Sequence, residues 1–240
     1  MSGMLRIVGV GPGDPELLTL KAARYIREAS VIAYFCRHDR MGHARRIADG
    51  QIIPGMDELR FAYPFTTERS VCEASYHAEM ARFYDHCAEQ VRAEVSAGRN
   101  VVLLCEGDPF LYGSAMYVFD RLAEDVPCDI VPGIMAMNGC WSMAQAPICH
   151  GDDVLCVLPA TMPEGALQEW LQRSDAAVVM KLGRNLPKLK RALAQAGRLD
   201  NALYVERGTQ ESGRVLKLAE MAEDAPYFSL ALLPGRKGVR

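Results

Sequence analysis

Short apolar runs of about five residues recur along this chain, each stopped by glycine, proline or charge and followed by helical periodicity. The first covers residues 7–10 and ends in Gly11-Pro12-Gly13-Asp14-Pro15. From Glu16 onward, Leu17, Leu20, Tyr25 and Ile26 recur at three- to five-residue spacing, which predicts a helix. A second strand is expected over 31–35, helix start signals over 41–48, and a third strand over 58–63, ended by Pro64. Thr66-Thr67-Glu68 opens a long helical stretch to 95, closed by Gly98. The run 101–105 stops at a second punctuated turn, Glu106-Gly107-Asp108-Pro109, and 110–122 reads as a helix.

Polar character rises over 123–128, which places a boundary between domains 1–124 and 125–240. The strand 129–131 then leads into a third turn, Pro132-Gly133, and a helix over 134–145 that ends before Pro147. Strands follow at 154–158, 176–182, 202–205 and 227–233, with a hairpin strand near 214–218. Helices are expected from Pro163 to 172 and over 186–196. Strands alternating with helices imply βα units. The fold class is therefore α/β, with two α/β domains built on mainly parallel or mixed sheets. Ligands of parallel sheets sit beyond the carboxyl ends of strands, so three glycine turns at such ends point to a ligand cleft between the domains.

Composition sharpens this picture in three places. Half of the 240 residues are hydrophobic, ample for a core, yet no apolar run reaches the ~18–20 residues of a membrane span. The first residues lack the basic-then-apolar order of a signal peptide, so a soluble cytoplasmic protein with no membrane partner is expected. The eight cysteines form no Cys-x-x-Cys pair and the histidines show no ligand spacing with them, so free thiols and no metal are expected. A net charge of -3 argues against nucleic acid as a partner. Against that average, Cys36 to Arg46 (CRHDRMGHARR) sets four arginines and two histidines against Asp39. This segment is either a solvated face or a local site for a polyanionic ligand.

Strand, glycine turn and helix near the start of the chain suggest a phosphate loop. The details do not fit one. A dinucleotide fingerprint needs a third glycine where this chain has Asp14, and Pro15 removes an amide donor. No Gly-Lys-Ser/Thr follows, so a Walker loop is absent.

The segment from Gly9 to Lys21 (GVGPGDPELLTLK) resembles the opening motif of the tetrapyrrole (corrin/porphyrin) methylases. Gly107-Asp108-Pro109-Phe110 with Tyr112-Gly113-Ser114 resembles the family's second motif, and Val131-Pro132-Gly133-Ile134 its third, in matching order and spacing. The resemblance implies two α/β domains, a homodimer, and S-adenosylmethionine bound between the domains. Arg60-Phe61-Ala62-Tyr63-Pro64, Cys140-Trp141-Ser142 and the segment from Met180 to Asn185 are similar to the branch that methylates C20 of precorrin-2 in cobalamin synthesis. Glu106-Gly107 and Ile134-Met135-Ala136 depart from the uroporphyrinogen-methylating branch. The remaining alternatives are the cobalt-containing substrate, a C17 or C11 methylase, a non-catalytic tetrapyrrole-binding protein, or a relative that methylates RNA or protein.

By resemblance, Pro12, Glu106, Gly107, Asp108, Met135, Ala136 and Lys181 are the cofactor-side residues. Asp108 also suits a plain turn or helix cap. The substrate-side set is Gly11, Gly13, Asp14, Arg37, Arg45, Arg46, Tyr63 and Tyr112. Its arginines would face the carboxylates of the macrocycle, while aromatic residues at such positions also serve as core. The reduced tetrapyrrole supplies its own electron-rich carbon, so attack needs alignment in a dry site more than a strong base. The base for the departing ring proton is left open among Asp14, Glu106 and His150.

Overall fold

The strand-forming runs of the first half enter one sheet. The computed structural model describes residues 3–65, 74–222 and 224–235. Strands β1 (Leu5–Gly9), β2 (Val31–Cys36), β3 (Asp57–Ala62), β4 (Val101–Cys105) and β5 (Cys128–Val131) pair in the order β3-β2-β4-β1-β5, every pairing parallel. Strand alternation sends successive side chains to opposite faces. Leu5, Ile7, Val31, Ala33, Val101 and Leu103 pack on one face with helices α3 (Ala74–Ser96) and α4 (Ala115–Leu122). Val8, Ile32, Tyr34, Val102 and Leu104 pack on the other with α1 (Leu20–Arg27) and α2 (His43–Ile47). Both faces are covered over β1, β2 and β4, which is why those three strands read as continuous apolar runs. Burying each large aliphatic side chain there contributes roughly 1.5–3 kcal/mol.

The second half builds β6 (Leu155–Pro159), β7 (Ala176–Met180), β8 (Leu203–Glu206), β9 (Arg214–Lys217) and β10 (Ser229–Leu233) in the order β6-β7-β10-β8-β9. Only β6 and β7 pair in parallel; β10 inserts antiparallel between β7 and β8, and β8–β9 is a hairpin. This sheet is mixed. Leu167 and Leu171 of α6 (Glu164–Arg173) and Leu189 and Leu193 of α7 (Leu186–Gln195) form one core with Val179, Tyr204 and Leu233. Helix α5 (Ala136–Met143) packs near β10.

Several boundaries move from the sequence reading. The compact units are Met1–Met135 and Ala136–Arg240 rather than 1–124 and 125–240, because β5 pairs with β1 and belongs to the first sheet. The first helix begins at Leu20, capped by the Thr19 hydroxyl, which accepts from the Ala22 amide at 3.1 Å. Pro15–Leu17 is a separate 3-10 turn, and Leu20 is 91% exposed rather than apolar-face. Helix α4 starts at Ala115, five residues beyond its expected start, after the turn at Pro109 to Gly113. The predicted opening of the long helix at Thr66-Thr67-Glu68 lies outside the described residues. Among the described residues no helix is long and apolar enough to cross a membrane.

Candidate functional site

Three parallel strands, β4, β1 and β5, lie side by side, so their carboxyl ends deliver the three glycine turns to one place. The Gly107 amide donates to the Gly11 carbonyl at 2.8 Å, and Val10 donates to Cys105 at 2.9 Å. A Cβ on Gly9 would stand 2.6 Å from the Gly107 carbonyl oxygen and 2.6 Å from the Gly133 nitrogen. The turns are thus packed backbone to backbone, at a distance that no side chain permits. Gly11 has φ +82, a left-handed conformation that lets the first turn reach the second.

Asp108 locks this arrangement. Its Oδ1 accepts from the Phe110 amide at 2.9 Å and its Oδ2 from the Gly133 amide at 3.2 Å, so one carboxylate joins the second turn to the third. Asp14 plays the matching part in the first turn, accepting from the Glu16 amide at 2.8 Å. Both acids, expected to face ligand, carry turn-holding hydrogen bonds.

Glu106 differs from them. It stands at the end of β4 with 38% of its side chain exposed, and His43 Nδ1 of α2 lies 3.8 Å from its Oε1. Burial pushes the Glu106 carboxyl up to about 7, against the opposing pull of the Ala44 amide, which donates to it, and of the Arg46 charge. Burial also pushes the thiol of the preceding Cys105 up to about 12.

The basic segment separates into distinct parts. Arg45 is only 11% exposed and bonds Asp49 at 2.6 Å and Glu58 at 2.8 Å, which ties α2 to β3. Arg60 donates to the carbonyls of His38 and Arg40 and holds their loop. Arg40 pairs with Asp39 at 3.2 Å. Arg37 is half exposed with Asp39 at 3.6 Å, and Arg46 is exposed. Arg45, expected on the substrate side, is committed to an internal ion-pair network; Arg37 and Arg46 project from the same segment.

Tyr63 stacks on Phe35, centroids 5.4 Å apart, and donates to the Ser114 hydroxyl at 2.6 Å, so it is built into an aromatic cluster with Phe83. Tyr112 is 43% exposed with φ 56, a strained turn position. Pro12 and Gly13 stay with the first turn, and Met135 closes the first unit. In the second unit, Ala136 opens α5, and Lys181 follows β7 with φ 59. His150 is exposed, its amide donating to Asp153 at 3.0 Å.

Two features escaped the sequence reading. In the sequence His43 is one member of a basic run, but its partner lies far along the chain, just beyond the end of β4. Glu206 is buried in the second unit, bound by Tyr204 at 2.7 Å, Arg214 at 2.9 Å and Arg207 at 2.9 Å. The Glu206-Arg207 pair was visible in the sequence; its burial was not.

Residues 4–222 match the family model of the Tetrapyrrole (Corrin/Porphyrin) Methylases. Over 98% of its length the chain is 51% identical to a precorrin-2 C(20)-methyltransferase from Sinorhizobium sp, covering 96% of that protein. It is 28% identical to a cobalt-precorrin-2 C(20)-methyltransferase from Salmonella typhimurium, over 97% of each chain. Its fold is similar to that of a uroporphyrin-III C-methyl transferase from Thermus thermophilus complexed with S-adenyl homocysteine, with TM-score 0.68, 25% identity and 97% of each chain covered.

Proposed function

Because the chain belongs to the tetrapyrrole (corrin/porphyrin) methylase family, we propose that it transfers the methyl group of S-adenosylmethionine to C20 of precorrin-2, giving precorrin-3A in cobalamin biosynthesis. The observation that carries this reading is the 51% identity to the Sinorhizobium C20-methyltransferase across nearly the whole of both chains. The 28% identity to the cobalt-substrate enzyme makes cobalt-precorrin-2 the second reading.

The residues fit the methyl donor chemically. S-adenosylmethionine, when bound, supplies an electrophilic methyl on a sulfonium sulfur, and it also carries an ammonium group and hydroxyls. Asp108 offers a carboxylate acceptor for those donors and is only partly covered. Asp108 keeps accepting capacity beyond its two backbone bonds, since an ionised carboxylate has about four lone-pair sites. Pro12, Gly107, Met135, Ala136 and Lys181 are proposed as the further cofactor contacts. Gly11, Gly13, Asp14, Tyr63 and Tyr112 are proposed to meet the macrocycle, and Arg37 and Arg46 its carboxylates. A homodimer in the cytoplasm accords with the family resemblance.

The test is direct. The purified protein is incubated with S-adenosylmethionine and either metal-free or cobalt-loaded precorrin-2. One added methyl by mass, placed at C20 by NMR, is expected with the metal-free substrate. Transfer only to the cobalt form would favour the second reading, and transfer to neither would refute both.

A further inference from the structure

Methylation at C20 leaves a proton to be removed, and the turn-holding acids Asp14 and Asp108 are already bonded to backbone amides. Glu106 is placed otherwise. It directly follows the central strand β4 and precedes Gly107, the residue whose amide binds the first turn. Its outer side is open while His43, with 16% of its side chain exposed, backs it from α2. We propose that Glu106 accepts the C20 proton, with His43 as the positioning residue that stabilises the carboxylate and passes the proton to solvent. This rests on the C20-methylation reading above.

The step balances. An electron pair of the macrocycle forms the new C20–methyl bond, and the pair of the broken sulfur–carbon bond stays on sulfur. The ring is left cationic. The C20–H bonding pair then returns to the ring as the proton passes to the Glu106 carboxylate, which becomes a carboxylic acid. Transfer from there through the imidazole to water restores the enzyme.

The surroundings suit a base that works near neutrality. A carboxyl held at about 7 is a far better proton acceptor than one in the ordinary range, yet remains substantially ionised at working pH. Against the burial that raises it act the Ala44 amide and the Arg46 charge, both from α2; His43 Nδ1 stands 3.8 Å from the carboxylate, and Cys105 precedes it in the chain. The balance is therefore set by the Ala44 amide and Arg46 against burial. The base must be ionised to act, so activity falls as pH drops through the Glu106 midpoint.

Glu106→Gln, Glu106→Asp and His43→Gln are compared with the wild-type protein. For Glu106→Gln, kcat on precorrin-2 is expected to fall on the order of 10²- to 10⁴-fold. Affinities for S-adenosylmethionine and precorrin-2, read by calorimetry, are expected to stay within a few-fold. C20-deuterated precorrin-2 should show a larger isotope effect in this variant than in the wild type. Glu106→Asp should restore part of kcat. His43→Gln should move the acid limb of the kcat profile upward, because the carboxylate loses a partner that favours its ionised form. A readout independent of turnover is the NMR titration of the His43 ring in the ligand-free protein, whose midpoint should fall in Glu106→Gln. An active wild type with Glu106→Gln unchanged in kcat and pH profile would overturn the proposal and leave the function standing. A wild type inactive on both forms of precorrin-2 would overturn the two together. Loss of S-adenosylmethionine binding in Glu106→Gln without a change in the His43 midpoint would reassign Glu106 to binding and also overturn the proposal.

Discussion

At the scale of single residues, the candidate site is defined as much by missing side chains as by present ones. Gly133 donates its amide to Asp108, and a Cβ there would fall onto the Gly107 carbonyl oxygen and within 2.8–2.9 Å of Gly9 backbone atoms. The neighbour that must yield is backbone, so relief requires moving a turn. Gly133→Ala is expected to cost at least about 1–3 kcal/mol, the usual range for overpacking, and to lower S-adenosylmethionine affinity with it. Gly165 is the control: it lies exposed in α6 with nothing within 4 Å of its Cβ position. Gly165→Ala should stabilise by roughly 0.5–1 kcal/mol through helix propensity and leave binding unchanged. Urea denaturation with calorimetry distinguishes the cases, and a Gly133→Ala protein as stable as wild type would contradict the packed-turn account.

At the scale of elements, the strand positions were legible in the chain because each buried strand is a continuous run bounded by punctuation. Helix starts were less so. Asp14 and Pro15 form a self-contained 3-10 turn, which postpones α1 to the Thr19 cap, and apolar spacing alone gives no sign of it. The basic segment shows the same limit. Asp49 stands four residues after Arg45, a spacing visible in the sequence, but Glu58 reaches Arg45 only because β3 lies beside β2. A cationic run that reads as one patch is thereby split into a structural arginine and outward ones. Arg45→Gln is expected to remove the ion pairs to Asp49 and Glu58 that tie α2 to β3, and to lower stability by about 1–3 kcal/mol. Arg46→Gln is expected to leave stability within about 0.5 kcal/mol, as for surface changes generally. It should weaken precorrin-2 binding, increasingly so at low salt, because exposed charges are screened. Thermal melts and tetrapyrrole titration at two ionic strengths check both. A stability loss for Arg46→Gln with unchanged binding would reverse the assignment.

At the scale of the whole molecule, the two units carry acids displaced in opposite directions, and this shapes the response to pH. The mixed second sheet was only partly foreseeable, since the insertion of β10 between β7 and β8 joins segments far apart in the chain. That insertion also sets Ser229 beside Glu206 in register, enclosing a carboxylate with 5% exposure. Burial by itself would raise the Glu206 carboxyl, but the Tyr204 hydroxyl and the Arg214 and Arg207 guanidiniums outweigh it and hold the group below the ordinary carboxylate range. The sign of the linkage follows: the folded state binds this proton less readily than the unfolded chain. Its stabilisation is complete above the unfolded carboxylate range and is lost as pH falls through the lower folded midpoint. Glu206→Gln should therefore destabilise the protein at neutral pH by about 1.5–3 kcal/mol, the scale of hydrogen bonds to a charged group. The gap between variant and wild type should narrow steadily as the medium is acidified, because the wild type loses its carboxylate while the amide does not titrate. Glu106 contributes with the opposite sign, its raised midpoint favouring the fold in mild acid and withdrawing that support as pH rises towards about 7. Unfolding free energies of the two proteins across the acid range decide the matter, and a gap independent of pH would show that Glu206 stabilises by packing and not by charge.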